Sequence, residues 1–185
     1  AKLADYHIKV RPGTNVAVLN MMLYFIIKSK LYKEDFILSR TEGFENFLKE
    51  IEKLDIDYLA RVAGVDKQKV KEAAIAYATA KNSMEFHGLG VTEQEQGSKT
   101  VMLIADLAMI TGNIGRKGVG VNPLRGQNNV QGAADMGCQP HQGAGYFPVA
   151  DKKIQKFFTE KYGVVHPTKA GLKIPEIFDA AINKE

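Results

Sequence analysis

Cysteine is almost absent: Cys138 is the only one in 185 residues. One thiol cannot close an intrachain disulfide, and it cannot supply a Cys-rich metal or iron–sulfur site within this chain. The four histidines, His7, His87, His141 and His166, show no ligand-like spacing to one another, so no metal ligand is expected here. Long apolar runs are also missing. The longest, "VAVLNMMLYFII", contains Asn20 and is too short to cross a bilayer, so no membrane insertion by this chain is expected. No tract is compositionally biased, no internal repeat is visible, and no signal peptide is visible at the start of this sequence. Net charge is +4. The lysines are scattered along amphipathic helices, without the basic stripe and interleaved aromatics of a nucleic-acid binder. The first residue is Ala1 rather than Met, followed at once by the strand-like "YHIKV". That start reads as a piece of something longer, or as a tag-processed product.

What is present is an ordinary globular composition, 45% hydrophobic and 25% charged. Residues 6–11 read as extended, closed by Pro12-Gly13, with Thr14 as an expected N-cap. A helix to about Lys30 should bury Val16, Leu19, Leu23, Ile26 and Ile27 on one side. A short helix follows over about Lys33–Arg40. Then "GFENFLKEIEKL" places Phe44, Phe47, Leu48, Ile51 and Leu54 on one helical stripe. A small helical piece ends at Gly64, and Asp66 caps a helix to about Lys81. "SMEFHGLGV", residues 83–91, reads as a buried parallel strand. A helix over about Ser98–Thr111 turns Val101, Ile104, Ala105 and Ala108 inward and stops at Gly112. Residues 112–145 hold more than half of the 17 glycines, so turns and loops should dominate there, with one short helix after Asn129. The tail from Ala150 has two weaker helices, and Pro175 suits the first turn of the last. The pattern is α/β and helix-rich, with only two or three strands.

Three loops stand where an α/β protein places its binding groups, after strand-like segments and before helices. They are "PGTN" (12–15), "GLGVTEQEQGS" (88–98) and "NPLRGQNNVQGAADMG" (122–137). None has the spacing of a phosphate loop. The third carries five amide or guanidinium side chains between Arg125 and Gln131, more than a turn requires.

Together these loops resemble the molybdopterin-guanine-dinucleotide oxidoreductases, specifically the catalytic subunit of formate dehydrogenase. The likeness covers nearly the whole chain and is densest over residues 88–140, with "RGQNNVQG" as its most specific string. It implies a Rossmann-like, partial dinucleotide-binding α/β domain. Residues 1–125 would be the second half of that domain and residues 126–185 the start of the next. It implies two pterin dinucleotides holding one molybdenum or tungsten ion. Gly13, Thr14 and Asn15 then line one guanosine end. Leu89 and Glu93 match cofactor-contacting positions after the strand, and Gln127 matches a cofactor-contacting glutamine. Arg125 matches the active-site arginine beside the metal, a planar fork suited to formate. The metal's Cys or selenocysteine ligand, a nearby histidine and the iron–sulfur ligands would lie outside this chain. The remaining segments of the catalytic subunit and an electron-transfer subunit are the implied partners; relatives are found both in the cytoplasm and outside it, and a cytoplasmic setting is the expectation here. His87 is expected to be a packed core residue, His141 exposed, and Cys138 a small buried residue. Two alternatives stand beside this reading. One is another bis-pterin oxidoreductase, nitrate reductase-like. The other is a non-catalytic binding or interaction module.

Overall fold

The structure is a computed structural model and describes residues 2–184. It resolves into two compact units, one running to Leu124 and the other from Arg125 onward. Each is described by itself.

The first unit is built around α1 (Asn15–Lys28), which packs against the helices α3 (Phe44–Glu52), α4 (Ile56–Ala63), α5 (Lys67–Thr79) and α7 (Gly97–Ile110). Its sequence is apolar almost all round, as a helix covered on several sides must be. Ala17, Val18, Met21, Leu23, Ile26 and Ile27 are buried, and Val16 and Leu19 only half-buried. The burial is therefore wider than the single stripe expected. One cluster joins Leu23, Ile26 and Ile27 to Ile37, which lies on α2 (Glu34–Arg40), and to Ile51, Ala74, Leu107 and Ile110. A second joins Ala17, Val18 and Met21 to Ala63 and Val70. Removing a side chain such as Leu23, which has no exposed surface, would cost about 3–5 kcal/mol.

Cap chemistry sets the helix ends. Asp55 accepts from the Tyr58 amide and Asp66 from the Gln68 amide. Gly64 closes α4 at φ 68°, a left-handed turn that favours glycine. The extended segment before α1 forms no strand. Arg11 instead ties it to the end of α4: its amide and guanidinium bond the carbonyls of Ala63, Arg61 and Val62.

The sheet among the described residues has two parallel strands, β1 (Met84–His87) and β2 (Gly120–Pro123), with Met84 opposite Gly120 and His87 opposite Pro123. The α/β class holds. The expectation of a buried strand does not: Met84 and Phe86 are 44% and 62% exposed, while Glu85 is half-buried and His87 buried. The strand alternates with period two, but its polar face is the one turned inward. The run also stops at His87, and Leu89–Thr92 forms the short helix α6 instead. β2 went unseen in the glycine-rich stretch because four residues with one valine carry almost no strand signal.

The second unit contains α8 (Val130–Asp135), α9 (Lys152–Tyr162) and α10 (Ile174–Asn183). Asp151 caps α9 through the Lys153 and Ile154 amides, and Pro175 sits in the first turn of α10 as expected. Phe158 is the buried anchor, stacked between Tyr162 and His166. Cys138 is exposed, a correction to the buried reading. It follows Gly137, whose left-handed φ of 84° ends α8 and carries the chain outward.

Candidate functional site

The carboxyl ends of β1 and β2 lie side by side, and the Leu124 amide extends their ladder by donating to the His87 carbonyl at 2.6 Å. Gly88 leaves β1 and α6 begins at once. Leu89 is 43% exposed, Glu93 is exposed at the end of α6, and a side chain at Gly90 would meet nothing within 4 Å. The turn is held by Gly97, where an added Cβ would collide with the Thr92 carbonyl. Leu89, Gly90 and Glu93 thus form an open ledge beside a rigid strand end.

The first loop leads into α1. Gly13 has φ 80° with open space around it. Thr14 does not cap the helix as expected. Its hydroxyl donates backward to the Arg11 carbonyl at 2.6 Å, because the turn places that acceptor nearer than the first-turn amides. The amino end of α1 consequently has no side-chain cap and keeps its positive end for another acceptor. Asn15 is half-buried and lines a cleft of about 310 Å³ together with Tyr77, His87, Val91 and Thr100. The structure therefore brings Asn15 and the end of β1 to one cleft. Leu89 and Glu93 stand outside its lining.

Tyr77 and Glu85, which both line this cleft, were missed by sequence reasoning. The Tyr77 hydroxyl donates to Glu85 Oε1, and Glu85 Oε2 and His87 Nδ1 are buried without a partner. Burial pushes the Glu85 carboxyl above its ordinary range, with the Tyr77 hydroxyl opposing. Burial, reinforced by Glu85, pushes the Tyr77 phenol up. The alternation of polar Glu85 and His87 with Met84 and Phe86 was the available signal.

A larger groove of about 860 Å³ lies elsewhere, between α2 and residues 111–116. Its Arg116 is already committed to the carbonyls of Lys81 and Gly112 and the amides of Asn82 and Asn113, so it reads as structural.

In the second unit Arg125 and Gln127 are both exposed. Arg125 Nη2 donates to Gln131 Oε1 at 2.6 Å. Gln131 Nε2 donates to Asp135 Oδ1 at 3.0 Å and to the Tyr146 hydroxyl at 2.7 Å, and that hydroxyl donates to Asp135 Oδ1 at 2.6 Å. Hydrogen bonds from Tyr146 and Gln131 hold the Asp135 carboxyl below its usual range, and the bond to Asp135 raises the Tyr146 phenol. No carboxylate among the described residues forms an ion pair with Arg125. Gln127 makes no side-chain hydrogen bond among the described residues, which leaves its amide open to a ligand. The spacing of Gln131 and Asp135, four apart on a helix, could have announced that pair. Tyr146 gave no signal.

The model of the molybdopterin oxidoreductase family matches residues 1–175. The chain belongs to that family. It is 45% identical over 179 residues to the F420-dependent formate dehydrogenase subunit alpha of Methanocaldococcus jannaschii, covering 97% of this chain and 26% of the relative. It is 42% identical over 186 residues to formate dehydrogenase H of Escherichia coli, covering 100% and 26%. The assimilatory nitrate reductase catalytic subunit of Bacillus subtilis is 32% identical over 163 residues, covering 88% and 23%. Among solved structures, acetylene hydratase from Pelobacter acetylenicus superposes with a TM-score of 0.59 at 24% identity, over 63% of this chain and 16% of that one; this likeness speaks to the fold. The chain spans about a quarter of the length of the curated relatives it matches.

Proposed function

We propose that this chain forms the cofactor-facing part of a molybdenum- or tungsten-dependent formate dehydrogenase. The observation that carries the reading is the state of Arg125. It is an exposed guanidinium held by one neutral amide, with no carboxylate among the described residues paired to it. The formate dehydrogenases among its relatives support formate as the anion this charge would meet.

The residues fit a pterin dinucleotide. The amino end of α1 lacks a side-chain cap, and the open backbone at Gly13 gives a diphosphate room to approach. Asn15, in its cleft, offers an amide to a base edge. Leu89 supplies an apolar ledge, Glu93 an acceptor, and Gln127 an unengaged amide for pterin donors and acceptors. The guanine-dinucleotide form is part of this proposal, and the iron–sulfur ligands and electron-accepting subunit would belong to other segments. When bound, the metal centre supplies the two-electron acceptor for formate oxidation. Arg125 orients the carboxylate through two parallel N–H donors, fixes the direction of the C–H bond, and stabilises charge as hydrogen leaves carbon.

The test uses the full-length, metal-loaded subunit. Arg125→Lys keeps the charge and loses the fork. It should lower kcat/KM for formate by on the order of 10²- to 10³-fold, about 3–4 kcal/mol, at unchanged metal content. Gln127→Ala should lose cofactor as well as rate. Near-normal turnover per metal in Arg125→Lys rejects the clamp. Nitrate is also a planar monoanion, and the nitrate reductase among the relatives makes it the competing substrate. Nitrate reduction without formate oxidation would decide for that reading.

A further inference from the structure

We propose that Gln131, Asp135 and Tyr146 act as positioning residues for Arg125, holding its guanidinium in place without neutralising it. The inference rests on the reading of Arg125 as the substrate clamp. An amide has one acceptor oxygen and one donor nitrogen, and the network decides which faces Arg125. Both N–H groups of Gln131 are taken, one by Asp135 and one by Tyr146, so its oxygen is left for Arg125 Nη2. The reversed amide would set N–H against N–H at Arg125 and oxygen against oxygen at Asp135. Only one orientation satisfies all four groups.

The backbone supports the same reading. Tyr146 reaches Gln131 and Asp135 from a loop in which Gly145 and Tyr146 both have left-handed backbone, at φ 72° and 63°. A non-glycine residue there is uncommon and is kept only where the surroundings fix it. Hydrogen bonds from the Gly143 amide to the Phe147 carbonyl and from the Tyr146 amide to the Gly143 carbonyl close the loop. Gly137 packs so tightly against it that an added Cβ would lie 2.5 Å from the Ala144 amide nitrogen. The raised Tyr146 phenol and lowered Asp135 carboxyl keep donor and acceptor in the same forms across neutral pH.

The choice of residue at 131 is the chemical core of the proposal. A carboxylate there would hold Arg125 more strongly and cancel its charge toward an anionic substrate. A neutral amide fixes one nitrogen and leaves the charge and the other donors available.

The experiment measures formate kinetics and metal content of the full-length subunit carrying Tyr146→Phe, Gln131→Glu, Arg125→Lys, or Arg125→Lys with Tyr146→Phe. Gln131→Glu should raise KM by on the order of 10-fold or more, with a smaller change in kcat. Tyr146→Phe should raise KM by roughly 3- to 10-fold at normal metal content. The Arg125→Lys, Tyr146→Phe pair should be no worse than Arg125→Lys alone, because the second change acts only through the first residue. The proposal is overturned if Arg125→Lys is severe while Tyr146→Phe and Gln131→Glu shift KM by less than about twofold. Additive effects in the pair, or loss of metal from Tyr146→Phe, overturn it too, since either marks a scaffold role. A near-normal Arg125→Lys removes the clamp itself, a separate and recognisable outcome.

Discussion

Asn113 Oδ1 accepts a hydrogen bond from the Ser83 amide at 3.2 Å, joining the residues just after α7 to the start of β1. Asn113 is 1% exposed, also accepts from Arg116 Nη2, and donates to the Thr111 hydroxyl. One side chain thus satisfies groups from two separate parts of the unit.

Replacing Asn113 by alanine should therefore cost about 2–3 kcal/mol, because the Ser83 amide loses its partner inside the unit. Thermal unfolding should shift down by roughly 5–10 °C. Asn113→Asp keeps both acceptor roles and loses only the donor to Thr111, so it should be milder. Equal loss in the two variants would mean that the amide nitrogen, rather than the oxygen, carries the contribution.

Gly97→Ala should destabilise by about 1–3 kcal/mol and disturb the ledge after β1. The obstacle is the Thr92 carbonyl, a backbone atom that cannot rotate away. Gly90→Ala, a few residues earlier, meets nothing and should change stability by no more than about 1 kcal/mol. Urea unfolding of the two variants side by side checks the contrast.

Glu85 makes a pH prediction with a definite sign. Burial raises its carboxyl above the ordinary value of 4.5, so the folded protein binds that proton more tightly than the unfolded chain does. The stability this contributes is present in full below about pH 4.5 and is lost as pH rises through the folded value. Glu85→Gln does not titrate. Relative to the parent, its unfolding midpoint should improve as pH rises above about 4.5 and level off once the folded value is passed. Asp106, also raised by burial, stays in both proteins and cancels. A parent and variant with parallel pH profiles would show that Glu85 titrates normally.

The helices were legible because their signals are local. Asp66 announced a cap, Gly64 and Gly112 announced stops, and apolar spacing announced the faces. Two things were not legible. A hydroxyl has two directions to bond, and Thr14 turned toward Arg11 because the tight turn brought that carbonyl nearer. A strand of four residues shows too little pattern to be seen alone, so β2 appears only through its register with β1. The loops carrying Asn15, Leu89, Glu93 and Arg125 could be picked out by composition. The Gln131–Tyr146 contact could not, since its ends lie 15 positions apart along a glycine-rich stretch.

The inverted sheet face has a practical side. Among the described residues β1 and β2 each have a strand neighbour on one side only, and Phe86 stands 62% exposed. An open strand edge beside an exposed aromatic is a template for self-association. In concentrated solution the isolated chain should grow aggregates by adding strands from other copies at this edge. A charge at the apolar face, Phe86→Lys, should keep the chain dispersed without touching the helical core, and light scattering against concentration would record the difference.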